Sequence, residues 1–150
     1  MAKRISKPLT SKIDALCEEG NQLAKNKAYH DARKKYSDAY RLVPDPKTEW
    51  EATTWILASI GDVLFLEGNY EMAQRAFNDA VRCPSGLGNV FIHLRLGEIS
   101  FELDDKKKAA DELARAYMGG GRDAFKHEDP KYFSLVEKVL KPPHGMDRLP

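Results

Sequence analysis

Small and apolar residues recur along the chain on one internal ruler. Gly20 is followed by Ala32, Tyr36 and Ala39; Gly61 by Ala73, Phe77 and Ala80; Gly97 by Ala109, Leu113 and Ala116. In all three segments the offsets from the glycine are 12, 16 and 19, although the glycines themselves stand 41 and then 36 residues apart. A rigid-period search would miss this repeat, because the insertions fall between the segments. Helical periodicity puts the two alanines of each segment, seven positions apart, on one face with the large residue between them. A glycine on a preceding helix lets the second helix approach where a larger side chain would hold it off. Each segment therefore predicts two antiparallel helices with small residues set against large ones along the seam.

Turn chemistry agrees with this division. Asn26-Lys27-Ala28-Tyr29 separates the first pair and Glu67-Gly68-Asn69-Tyr70 the second, with Gly68 suited to a helix C-cap. The third pair has only Asp104-Asp105-Lys106, a less orthodox turn, while Pro44 and Pro84 close the first two hairpins. Between the first two hairpins, Asp45 can cap and Pro46 can open a helix, which predicts a first helix lengthened by two turns, from about Pro46 to Leu66. Asn89 is the expected cap of the third hairpin, after the loop Pro84-Ser85-Gly86-Leu87-Gly88. Asp129-Pro130, followed by Tyr132, Phe133, Leu135, Val136, Val139 and Leu140, predicts one more amphipathic helix as the lid that a terminal repeat needs. Beyond it, residues 142–150 with Pro142-Pro143-His144-Gly145 read as a loose tail.

These residues resemble the tetratricopeptide repeat family, whose pattern is a W..LG..Y first helix and an A...F..A second helix ending near proline. The middle repeat fits best, with Leu57, Ile60, Gly61, Leu64, Tyr70, Ala73, Phe77 and Ala80; in the third, His93 stands for the tryptophan and Ser100 for the tyrosine. The resemblance implies an all-α fold, a right-handed α-solenoid of three helix hairpins plus a capping helix. The expected single domain has repeats at about 13–46, 46–87 and 89–123 and a capping helix at about 129–141.

Composition narrows the function class. A chain of 150 residues fits one domain, and 42% hydrophobic with 31% charged residues is ordinary for a soluble protein. With 24 Lys and Arg against 23 Asp and Glu the net charge is +1, which gives no field for a nucleic-acid partner. The basic start at Lys3, Arg4, Lys7 and Lys12 precedes no apolar run of the kind an export signal needs, and nothing approaches the roughly 18 apolar residues of a membrane span. Cys17 and Cys83 then read as two free thiols in a cytoplasmic protein with no membrane partner.

The resemblance also implies where a partner sits, because in this family the first helices line a concave face that holds ligands. Spacing from the buried glycines gives the exposed ridge as Asp14, Cys17, Asn21 and Ala24, then Trp55, Ala58, Asp62 and Phe65, then Phe91, Leu94, Glu98 and Phe101, with Arg95 and Glu102 beside it. Aromatics interleaved with carboxylates suit a partner that offers apolar side chains ringed by Lys or Arg. Cochaperones of the family grip a peptide's terminal carboxylate with Lys and Asn; Asn21 and Arg95 match two such places, but Cys17 and Ser59 occupy others, so that recognition is not expected.

No nucleophile elbow, Walker loop, dinucleotide fingerprint or zinc spacing is present, so neither cofactor nor metal is expected. Gly119-Gly120-Gly121 reads as a helix stop, Lys106-Lys107-Lys108 as a solvated face, and His30, His93, His127 and His144 as scattered residues. An enzyme would have to use Asp62, Glu98 and His93, and is the least favoured reading. Gly88 to Gly97, Ala109 to Gly119 and Asp129-Pro130-Lys131-Tyr132-Phe133 are similar to short bacterial tetratricopeptide proteins of toxin loci. That resemblance implies an immunity factor that plugs a cognate toxin domain; the alternative is a secretion chaperone that cradles an extended client segment.

Overall fold

The seam of each hairpin is built as the repeated spacing requires. In the computed structural model, which describes residues 4–150, a Cβ added to Gly20 would come within 2.6 Å of the Tyr36 ring, and one on Gly61 within 2.7 Å of the Phe77 ring. On Gly97 it would stand 2.5 Å from Cγ of Leu113. The alanines on either side of these large residues, Ala32 and Ala39, Ala73 and Ala80, Ala109 and Ala116, are all 0% exposed. No larger side chain fits at any of the six, because a close-packed interior has no spare volume.

Seven α-helices result among the described residues: α1 Lys7–Lys25, α2 Tyr29–Leu42, α3 Glu51–Leu66, α4 Tyr70–Val81, α5 Val90–Glu102, α6 Lys106–Gly120 and α7 Pro130–Val139. The hairpins are α1/α2, α3/α4 and α5/α6. The chain divides into two compact units: an N-terminal unit ending at Leu87 with the first two hairpins, and a C-terminal unit, Gly88–Pro150, with the third hairpin and α7. The basic start at Lys3 lies outside the described residues.

All three hairpin turns share one geometry. Lys27, Gly68 and Asp104, each seven residues after its glycine, adopt φ of +63°, +81° and +63°. In every case the next residue's N–H reaches back five positions, Ala28 to Leu23, Asn69 to Leu64 and Asp105 to Ser100, while the left-handed residue itself bonds three back. This paired bonding satisfies the last carbonyls of α1, α3 and α5. The Asp104-Asp105-Lys106 turn is therefore as regular as the others, and Asp105 adds a cap by accepting from the Lys108 N–H at 3.2 Å. Left-handed backbone strains any residue with a Cβ. Lys27→Gly and Asp104→Gly are accordingly expected to raise stability by about 0.5 to 1 kcal/mol each; urea midpoints check this, and unchanged midpoints would count against the strain.

The linker between the first two hairpins departs from expectation. Instead of a helix running from Pro46 to Leu66, a single 3-10 turn at Lys47–Glu49 ends at Trp50, whose backbone is extended (φ −112°, ψ 134°), and α3 starts at Glu51. Asp45 caps nothing, because other bonds claim this segment. The Trp50 indole donates to the Pro44 carbonyl at 2.8 Å, and the Thr53 hydroxyl donates to the Lys47 carbonyl at 2.6 Å. The Lys47 ammonium donates to the Tyr40 carbonyl at 3.0 Å and to that of Val43, closing the C-terminus of α2 where a cation is favoured. A through-going helix would break all of these. Further on, Thr54 Oγ1 donates to the Pro84 carbonyl at 2.6 Å and fastens α3 to the end of the second hairpin.

In the C-terminal unit Asn89 caps α5 as read from the sequence, accepting from the Ile92 N–H, and Asp129 caps α7 by accepting from the Lys131 N–H. The glycine run ends α6, and Gly121, at φ 65° and ψ −163°, occupies backbone open only to glycine. Leu94, Leu113, Ala116, Phe125, Tyr132, Val136 and Leu149 make the core. Leu149 belongs to the stretch expected to be loose. Its carbonyl accepts from Nε and Nη2 of Arg122, and the Pro150 carbonyl accepts from the Tyr117 hydroxyl, so a buried leucine and paired carbonyls hold these residues down.

Candidate functional site

On α1, Asp14 and Asn21 are exposed, Cys17 and Ala24 half-buried. The Tyr36 hydroxyl donates to Oδ1 of Asn21 at 2.7 Å, which fixes that amide against the second helix. Burial, then the charges of Cys17, Asp62 and Glu18, push the Tyr36 phenol up to about 12. The Cys17 thiol is raised by burial and by Asp14. On α3, Trp55 is 43% exposed with its indole N–H 3.4 Å from Oε1 of Glu51. Asp62 is half-buried, and Phe65 folds back onto Tyr70, ring centroids 5.7 Å apart. Ala58, expected on the ridge, is buried, because it sits a turn before Gly61 on a helix apolar around most of its circumference.

The C-terminal ridge is largely engaged within its own unit. Phe91 remains 36% exposed with the Arg95 guanidinium 5.2 Å from its ring centroid. Leu94 is buried, and Glu98, expected at the surface, is 1% exposed. Arg95 donates to Glu98 at 2.7 Å and also to Glu128, so one guanidinium serves two carboxyls. Oε2 of Glu98 and Oγ of Ser100 are buried with no hydrogen-bond partner among the described residues. Burial first, and the neighbouring Glu128 carboxyl next, push Glu98 up to about 8 against the pull of Arg95. One turn on, the Phe101 ring stacks edge-on against Tyr132 at 5.3 Å. Glu102 accepts from the Tyr132 hydroxyl at 2.7 Å and pairs with Lys131 at 2.7 Å. Burial works against its ionisation, but the bonds from Lys131 and Tyr132 hold its carboxyl below the ordinary range.

Sequence spacing did not foresee what covers this ridge. Glu128, Lys131 and Tyr132 lie some thirty residues away, and no local pattern pairs them with Arg95, Glu102 and Phe101. His93 is a second such case: buried, its Nε2 accepts from the Gly88 N–H at 2.9 Å, so Nδ1 carries the proton and donates to Glu112 at 2.6 Å. His93 and Glu98 are thus turned to different partners, and the geometry does not gather them into a catalytic pair. Cys17 and Cys83 are free thiols. Among the described residues no three His, Cys, Asp or Glu side chains converge in a metal-binding group, and no helix is long and apolar enough to cross a membrane.

Comparison with known proteins gives the class. No protein-family model matches the chain. Tetratricopeptide repeat protein 33 of Mus musculus is 28% identical over 142 residues, covering 90% of this chain and 52% of that protein, so the chain spans about half the length of this curated relative. The Yersinia enterocolitica type III secretion chaperone SycD, in complex with a peptide of the translocator YopD, matches with a TM-score of 0.69 at 14% identity over 91% of this chain and 95% of that one. The Sgt2 TPR domain from Aspergillus fumigatus matches at 0.66 and 22%, covering 90% and 88%. Three hairpins with one seam spacing, and these likenesses, define an all-helical tetratricopeptide-repeat fold.

Proposed function

We propose that the chain is a protein-binding module whose partner docks on the first helices of the N-terminal unit. The observation that carries this reading is Trp55, a large aromatic left 43% exposed beside Glu51 on the helix that also presents Asp62. Tryptophan buried at the centre of an interface is a frequent energetic anchor, and the carboxylates around it favour a partner that brings Lys or Arg beside an apolar side chain. Asp14 and Asn21 on α1 are also exposed and polar.

Two occupants suit this surface. An extended segment of a translocated protein is supported by the likeness to SycD, whose structure contains a translocator peptide. A folded, basic toxin domain is supported by the resemblance of Gly88 to Gly97 and Ala109 to Gly119 to immunity proteins of toxin loci. Native mass spectrometry of the complex from source cells identifies the partner, and amide exchange on that partner separates a protected domain from a strand ordered only on binding. With the partner in hand, Trp55→Ala combined with Asp14→Lys is expected to weaken binding about thirtyfold or more, as loss of an anchor does, with unchanged helical circular dichroism. Unaltered affinity would discard this surface.

A further inference from the structure

We propose a second docking site, on the C-terminal unit, for an acidic protein segment: a cleft floored by Phe101 and Leu135 and rimmed by Lys106, Lys131 and Lys138. Its volume is about 400 Å³, room for two or three residues of an extended chain, and Ser134 completes its wall. Three separate pieces of sequence meet there, the end of α5, the first residue of α6 and one stripe of α7 in which Lys131, Leu135 and Lys138 follow at helical spacing.

Three lysines border the cleft. The Lys106 ammonium lies 3.4 Å from the centroid of the Phe101 ring and donates to the Phe101 carbonyl at 3.3 Å, yet half of its side chain stays exposed. Lys131 is 5.5 Å from the same centroid, and Lys138 is exposed in the last turn of α7. Glu102 pairs with Lys131, and Asp104 stands 3.9 Å from Lys106 as a looser partner. A lysine at the first position of α6 is also placed against the helix dipole, where a carboxylate is favoured. An incoming carboxylate between Lys106 and Lys138 relieves that arrangement, and an aliphatic or aromatic neighbour on the same segment covers Phe101 and Leu135. The ligand is therefore a peptide with a short apolar stretch between carboxylates, opposite in sign to the partner favoured at Trp55. This inference rests on the protein-binding reading but uses a different surface.

The test uses the full chain and two blocked synthetic hexapeptides, each a Leu-Phe pair flanked by two Glu on either side or by two Lys on either side, followed by amide and side-chain NMR shifts. The expected result is saturable shifts at Phe101, Lys106, Lys131, Ser134, Leu135 and Lys138 with the glutamate peptide only. Lys106→Glu with Lys138→Glu is expected to weaken that binding at least tenfold; Lys106→Glu accords with the α6 dipole, and an unchanged spectrum elsewhere confirms folding. No shift, equal shifts with the lysine peptide, or undiminished binding by the double variant would each overturn the proposal. Shifts confined to the surroundings of Trp55 and Asp14 would also overturn it while leaving the first docking surface standing.

Discussion

Gly97→Ala is expected to lower stability by about 2 to 3 kcal/mol, the range of an overpacked core, even though alanine in a helix interior ordinarily gains close to 1 kcal/mol over glycine. The added Cβ would meet Cγ and Cδ2 of Leu113 at 2.5 and 2.6 Å and the Leu113 backbone nitrogen at 3.0 Å. A side chain can turn aside, but the backbone of α6 cannot move without disturbing Ala109 and Ala116, which have no free space. In the first two hairpins the three nearest atoms all belong to a ring, of Tyr36 or of Phe77, so the same substitution there has a softer neighbour. Urea unfolding measures the loss. Leu113→Ala alone opens a cavity, and the Gly97→Ala, Leu113→Ala double variant should lose at least 1 kcal/mol less than the sum of the singles, since each change relieves the other. A Gly97→Ala chain as stable as the parent would show that the seam is not closely packed.

Removing the guanidinium between Glu98 and Glu128 is expected to be costlier, and its cost should depend on pH. Arg95→Met leaves two largely buried carboxyls without their shared cation, a loss of about 3 to 5 kcal/mol for a broken buried pair. Glu98 titrates near 8 in the folded chain against an ordinary 4.5. The native state therefore binds the extra proton between those values, so the contribution of Glu98 to stability is full below about pH 4.5 and is lost as pH rises through about 8. Thermal melts of the parent should fall over that window, and the Arg95→Met deficit should be larger at pH 8.5 than at pH 5.5. Glu98→Gln imitates the neutral acid, flattens the parent's dependence and restores part of the Arg95→Met loss at pH 8.5. A deficit that is constant with pH would contradict a neutral Glu98.

The features legible in the sequence are those set by local periodicity. Gly20, Gly61 and Gly97 with their alanines fix three seams because helix geometry places fixed offsets on fixed faces, and Asn89 announces its helix by cap chemistry. What was not legible depends on pairs distant in sequence or on competition between local bonds. Pro46 is a good opening residue, yet Trp50 and Lys47 bond back to Pro44, Tyr40 and Val43 and defeat the longer helix. The regular turn at Asp104 was hidden because two aspartates disguise a left-handed position that glycine marks in the second hairpin. Burial of Glu98 and the covering of Phe101 and Glu102 follow from Glu128, Lys131 and Tyr132, whose charges and rings give no sign along the chain of where they will land. For the same reason residues 142–150 read as free although Arg122 and Tyr117 claim Leu149 and Pro150.

The chain has two tryptophans, five residues apart, in opposite surroundings: the Trp50 indole is half-buried and tethered to the Pro44 carbonyl, while that of Trp55 opens to solvent. Intrinsic fluorescence is thereby divided into two channels without any label. The bluer emission follows integrity of the linker between the first two hairpins, and the redder, quencher-accessible emission registers anything that settles over α3.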